Sequence, residues 1–170
     1  SIAHNLREAR IRYEHRQAQI ALQENQARLK AFITNLPGMA YQILLKNDGD
    51  ISFPYISDGS KALLDLNPQD LEKNPHLFMN MLHPDDRGSY EQSMRTSANN
   101  LTFWNWEGRI VILPEGEIKW INLRCSPRKT LHGEIQWEGI MSNISQSKQA
   151  EIEIKHSQEQ LRELSSHVQL

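Results

Sequence analysis

Seven histidines and one cysteine are the residues of this 170-residue chain with the chemistry for metal, haem or nucleophilic work. Their spacing argues against each use. His4, His15, His156 and His167 are scattered through helix-forming ends, too far apart to share an ion. His76 and His83 stand seven apart and do not match a helical HExxH pair. His83-Pro84-Asp85-Asp86 has the composition of an acid/base cluster, but adjacent residues at a helix start point in different directions. That run reads better as a helix cap with two carboxylates near the positive end of the dipole. A lone Cys125 forbids an internal disulfide and a Cys-rich zinc site, and it fits a reducing compartment. There is no GxSxG elbow and no glycine-rich phosphate loop. No catalytic residue, no metal set and no cofactor motif is therefore expected.

A net charge of −2 gives no strong pull toward nucleic acid or anionic lipid. No apolar run reaches the ~20 residues that a membrane span requires. A chain that is 38% hydrophobic and 24% charged suits one globular domain with some extended helix. Starting at Ser1, it reads as a piece of a longer protein, cytoplasmic in this segment, whose remainder can still hold a membrane anchor.

The elements that would position any site follow from periodicity and punctuation. Residues 1–36 contain no Gly or Pro and are rich in Ala, Leu, Arg, Gln and Glu, which predicts one long helical arm. Leu6, Tyr13, Ile20 and Ala27 form one heptad series and Leu22, Leu29 and Leu36 a second, as in a coiled coil with a phase shift. An amphipathic helix lying on its own domain is the alternative. Pro37-Gly38 ends the arm. Strands are expected over 39–46 and 51–56 around the Asn47-Asp48-Gly49-Asp50 turn. Asn67-Pro68 with Asp70, then Asn74-Pro75, then His83-Pro84, mark three or four short helices in 57–98. Three strands follow at 102–113, 117–127 and 134–144, with turns at Glu115-Gly116 and His132-Gly133. This order predicts an α+β fold: a five-stranded antiparallel sheet with short helices on one face, flanked by helical arms. The boundaries are 1–36 for the first arm, 37–145 for the core and 146–170 for the second arm. In the second arm Ile154, Leu161 and Val168 are seven apart, with Ala150, Ser157 and Leu164 on the other seam position. The last strand feeds this helix at Asn143-Ile144-Ser145 with no loop between them.

Several stretches, in this order and spacing, resemble the PAS domain, a sensory module of bacterial signalling proteins. They are "LPGMAYQI", "YISDGSKALLDLNPQDL", "LHPDDRGSYEQSM", "GEIKWINLRCSP" and "WEGIMSNISQSKQAE", and the likeness spans roughly residues 25–150. The family usually closes its last strand with Asp-Ile-Thr. Here Asn143-Ile144-Ser145 stands in that place, so a neutral hydrogen bond replaces the family's salt bridge between sheet and helix. Ser145 is expected to cap the exit helix. Haem binding would need a His deep in the 85–98 helix, which is absent, and the flavin branch would need a Cys where "LNPQDLEKNPHLF" has none.

The resemblance further implies a space between sheet and helices, walled by Tyr41, Ile56, Leu71, Phe78, Ile121, Leu123, Cys125 and Met141. Such a wall suits a small apolar or aromatic ligand, and equally a filled core. Cys125 then reads as a small buried hydrophobe and not a redox switch. Trp104, Trp106, Trp120 and Trp137 are expected to pack the core or the helix-to-sheet contact, with cavity lining as the alternative. As a PAS module the chain is no enzyme. It is expected to form a homodimer through its arms, with Ile154, Leu161, Leu164 and Val168 as the seam and Asn143, Ile144 and Ser145 as the signal joint. The tail "SQEQLRELSSHVQL" resembles the run ahead of a histidine kinase's phosphoacceptor helix, which makes a kinase domain in the same chain the expected output. A cyclic-dinucleotide synthase output and a ligand-free dimerisation spacer are the rivals.

Overall fold

The computed structural model describes residues 1–168 of the chain, so the last two residues of the expected second arm lie outside the described residues. Two units are present, Ser1–Leu36 and Pro37–Leu170.

The first unit is one helix, α1 (Ile2–Asn35). Ser1 caps it, its hydroxyl accepting the His4 N–H at 3.3 Å. It ends where it must: Leu36 precedes Pro37 and takes an extended backbone, because the proline ring disfavours helical geometry in the residue before it. None of its residues is buried, and Leu6, Tyr13, Ile20, Leu22 and Leu29 are all exposed.

The second unit contains strands β1 (Met39–Leu45), β2 (Ile51–Ile56), β3 (Trp104–Ile112), β4 (Glu117–Lys129) and β5 (Ile135–Asn143). They form one antiparallel sheet in the order β2-β1-β5-β4-β3. Helices α2 (Ser60–Leu64), α3 (Pro68–Lys73), α4 (His76–Met81), a single 3-10 turn (Pro84–Asp86) and α5 (Arg87–Asn100) connect β2 to β3, and α6 (Ser145–Val168) follows β5. Alternation places Trp104, Trp106, Ile110, Ile121, Leu123, Cys125, Trp137 and Met141 on the inner face, where Leu63, Leu64, Leu71, Phe78, Leu82, Tyr90 and Met94 of the helical segment cover them. The expected strands and the series of short helices are all present, within a residue or two at most ends.

The start of α4 differs from expectation. Asn74 is the C-cap of α3, and Pro75, not Asn74, precedes α4, with the Asn74 carbonyl accepting the Leu77 N–H. The free edge of β3 is covered by the run before α5: the His83 N–H donates to the Arg109 carbonyl at 2.9 Å, and Leu82 bridges Ile110. Covering of this kind blunts that part of the edge against pairing with another chain.

Candidate functional site

The expected ligand wall is brought together. Tyr41, Ile56, Leu71, Phe78, Ile121, Leu123, Cys125 and Met141 all lie within one hydrophobic cluster, none more than 4% exposed. The space they enclose holds large side chains. Tyr90 of α5 lies 5.2 Å from Trp104, 5.1 Å from Trp106 and 5.9 Å from Phe78, ring centre to ring centre, and Trp104 lies 5.4 Å from Trp137. Tilted and edge contacts of this kind are favoured between aromatic rings. The Tyr41 hydroxyl and Cys125 thiol are 2.8 Å apart inside this cluster. Burial pushes the Cys125 thiol up to about 11, against the hydrogen bond from Tyr41, so at neutral pH it is a protonated, unreactive group.

A polar stripe on α5 fixes these rings. Ser89, Ser93 and Ser97 recur every fourth residue and so share one helix face. Their hydroxyls accept the indole N–H groups of Trp106 at 3.0 Å, Trp104 at 2.8 Å and Trp137 at 2.8 Å. Three tryptophans from two strands are thereby keyed to one helix, and no buried indole donor is left without a partner. Gly108 makes room for this arrangement, since a Cβ there would meet the Trp106 ring at 2.1 Å. The sequence reading placed the tryptophans in the core or the helix-to-sheet contact. It missed the serines that select their depth.

Trp120 is the exception. Its neighbours Ile121, Leu123 and Cys125 point inward, so parity puts it on the outer face. There it organises the junction of sheet and exit helix. Its backbone N–H donates to the Ser145 hydroxyl at 2.9 Å, and its carbonyl accepts the Ile144 N–H at 2.8 Å. Ser145 therefore does not cap α6 as expected: it is the first helical residue, Ile144 stands at the cap position, and the Ser145 hydroxyl accepts from a strand amide instead. The Asn143 side-chain oxygen accepts the Ser145 N–H at 2.9 Å, and the Ile144 carbonyl accepts the Lys148 N–H to open the helix. Asn143 thus bonds within the joint and does not reach back to the sheet.

Charge re-enters one turn later. The Lys148 ammonium lies 2.9 Å from Glu107 of β3 and 3.4 Å from Glu151, and 5.3 Å from the centre of the Trp120 ring. Arg109 lies over the same ring at 5.4 Å and is itself gripped by Asp86. The expected seam residues Ile154, Leu161, Leu164 and Val168 are all more than half exposed on α6 and form an apolar stripe. Among the described residues no group of three or more His, Cys, Asp or Glu is placed to hold a metal ion, and no helix is long and apolar enough to cross a membrane.

Comparison with known proteins agrees with this architecture. A family model for the PAS fold matches residues 53–141, which is more than half of the chain. The chain belongs to the PAS fold family. No curated protein matches it. Among solved structures, a sensory box histidine kinase/response regulator of Burkholderia thailandensis is similar at TM-score 0.58 and 18% identity, over 74% of this chain and 91% of that one. The N-terminal domain of a diguanylate cyclase with PAS/PAC sensor from Marinobacter aquaeolei is similar at TM-score 0.54 and 21% identity, over 65% and 97%. The PAS domain of a protein from Colwellia psychrerythraea is similar at TM-score 0.53 and 22% identity, over 71% and 97%. At these identities the likeness is one of fold. The chain is a sensory PAS module.

Proposed function

We propose that the chain is a signal-relay PAS module of a cytoplasmic homodimer, passing a change in its sheet through α6 to an output domain that follows in the same polypeptide. The observation that carries this reading is the joint. Strand β5 ends at Asn143 and α6 begins at Ser145, with Ile144 between them tied to β4. With no loop to absorb a movement, a shift of the sheet moves the helix. The aromatic filling of the interior favours relay from an upstream domain over capture of a small apolar or aromatic ligand. The tail at 157–170 and the likeness to a histidine kinase sensor support a sensor histidine kinase as the parent. The likeness to a diguanylate cyclase sensor domain supports a cyclic-dinucleotide synthase as the second reading.

Native mass spectrometry of the chain is expected to show a dimer with no added mass. Leu161→Asp places a carboxylate in the seam and is expected to raise the dimer Kd by about 100-fold or more, with an unchanged circular-dichroism spectrum. A monomeric wild type would overturn the dimeric relay, and a retained small molecule would replace relay by ligand sensing.

A further inference from the structure

The family's salt bridge at the strand end is missing in this chain, since Asn143 is neutral and its oxygen is spent on the Ser145 amide. Five residues outside the joint triplet supply a substitute. Asp86, at the end of the 3-10 turn, accepts from Arg109 Nε and Nη2, both at 2.9 Å, and from the Arg109 backbone N–H at 2.8 Å. Arg109 is the direct cross-strand partner of Trp120. Its guanidinium and the Lys148 ammonium both lie over the Trp120 ring. Glu107, two residues from Arg109 and on the same outer face of β3, pairs with Lys148. Each cation is held by its own carboxylate, one from the helical segment and one from the sheet, and Glu151 of α6 adds a third at 3.4 Å from Lys148. Removing Asp86 takes from Arg109 the carboxylate that fixes it over the ring.

From this geometry we propose that Lys148 is the positioning residue of the joint, and that Trp120 couples it to the Asp86–Arg109 pair, so that a movement at the start of α5 is felt in the first turn of α6. The path is contiguous. The α5 start is fixed to Arg109 through Asp86, Arg109 to Trp120 through the ring face, and Trp120 to α6 through both its backbone bonds and Lys148. The ring prefers a cation over its face, so displacement of Arg109 changes the hold on Lys148. The role of this coupling rests on the relay reading above, but its test does not, because it is read on the chain alone.

The test is amide hydrogen exchange of residues 148–152 in the wild type, Lys148→Met, Lys148→Arg, Asp86→Asn and the Asp86→Asn/Lys148→Met pair. These amides are expected to open locally, ahead of the sheet. Lys148→Met is expected to raise their exchange about tenfold while the strand amides keep their rates, and Lys148→Arg, which keeps the charge, is expected to stay within about twofold of wild type. Asp86→Asn touches no atom of α6 directly, yet is expected to raise the same rates, and to add nothing further in the Lys148→Met background. Fluorotryptophan NMR gives the second readout: the Trp120 line, assigned by Trp120→Phe, moves in both single variants. Exchange in α6 that is unchanged by Lys148→Met would overturn the proposal. So would multiplying effects of the two substitutions, which mark independent sites. A chain that shows this coupling but is monomeric by native mass spectrometry retains the joint and refutes the dimeric relay.

Discussion

Trp137→Ala is expected to lower the unfolding free energy of the PAS core by about 3–5 kcal/mol. The side chain is fully buried, its ring lies 5.4 Å from that of Trp104, and its indole N–H donates to the Ser97 hydroxyl at 2.8 Å. Alanine removes the ring and leaves a hole beside the Trp104 ring, which has few rotamers with which to collapse into it. Ser97 keeps its second bond, to the Thr102 carbonyl, so the hydroxyl does not become an orphan and most of the cost is lost packing. Trp137→Phe keeps much of the volume and loses the donor, and is expected to cost less than half as much. Urea unfolding followed by far-ultraviolet circular dichroism measures both without relying on tryptophan emission. A loss under about 1 kcal/mol for the alanine variant would mean that the interior is loosely filled around this ring. That result would restore the reading in which the eight-residue wall around Cys125 and Tyr41 encloses a ligand.

The second large effect belongs to the Asp86–Arg109 pair. Asp86 is 16% and Arg109 28% exposed in the side chain, and three donors of Arg109 converge on one carboxylate. Asp86→Ala leaves a half-buried guanidinium and a strand-edge N–H unpaired and is expected to cost about 2–4 kcal/mol. The pair also sets an acid limb. The hydrogen bonds from the Arg109 side chain hold the Asp86 carboxyl below its usual value, with partial burial opposing them. Because the folded value is depressed, the stabilisation is fully present above the ordinary carboxylate value of about 4, and it is lost as pH falls through the lower folded value. Urea midpoints measured from pH 6 downward are expected to fall below about pH 4 in the wild type and to fall less steeply in Asp86→Asn, which has no proton to take up there. Equal acid slopes in the two proteins would show that Asp86 is not held as the geometry indicates.

Much of the fold is legible in the sequence because its signals are local. Pro37 ends α1 by restricting Leu36, the alternation of Ile121, Leu123 and Cys125 defines the inner face of β4, and the Asn47–Asp50 run can only be a tight turn. The eight wall residues were found from the same parity and the family resemblance, and all of them are buried together. What escaped the sequence depends on pairing between distant elements. Ser89, Ser93 and Ser97 read as a polar helix face until β3 and β5 bring Trp104, Trp106 and Trp137 against them. Trp120 was grouped with the other three tryptophans although parity sets it apart. Its partners Arg109 and Lys148 are separated by 39 positions and meet only through the β3–β4 register and the start of α6. Ser145 was read as a cap from its position alone. Ile144 stands at the cap position instead, and the Ser145 hydroxyl accepts from the backbone amide of Trp120, a partner no local rule shows.

The measurement that bears most directly on the relay is output activity of the full-length protein with residues inserted in α6 after Gln160. Seven added residues return the seam formed by Ile154, Leu161, Leu164 and Val168 to its original face, whereas two rotate everything beyond them by about 200°. If α6 transmits by its rotational phase, the seven-residue insertion leaves basal output within about twofold of wild type and the two-residue insertion changes it about tenfold or fixes it in one state. Equal output from the two insertions would contradict transmission through this helix.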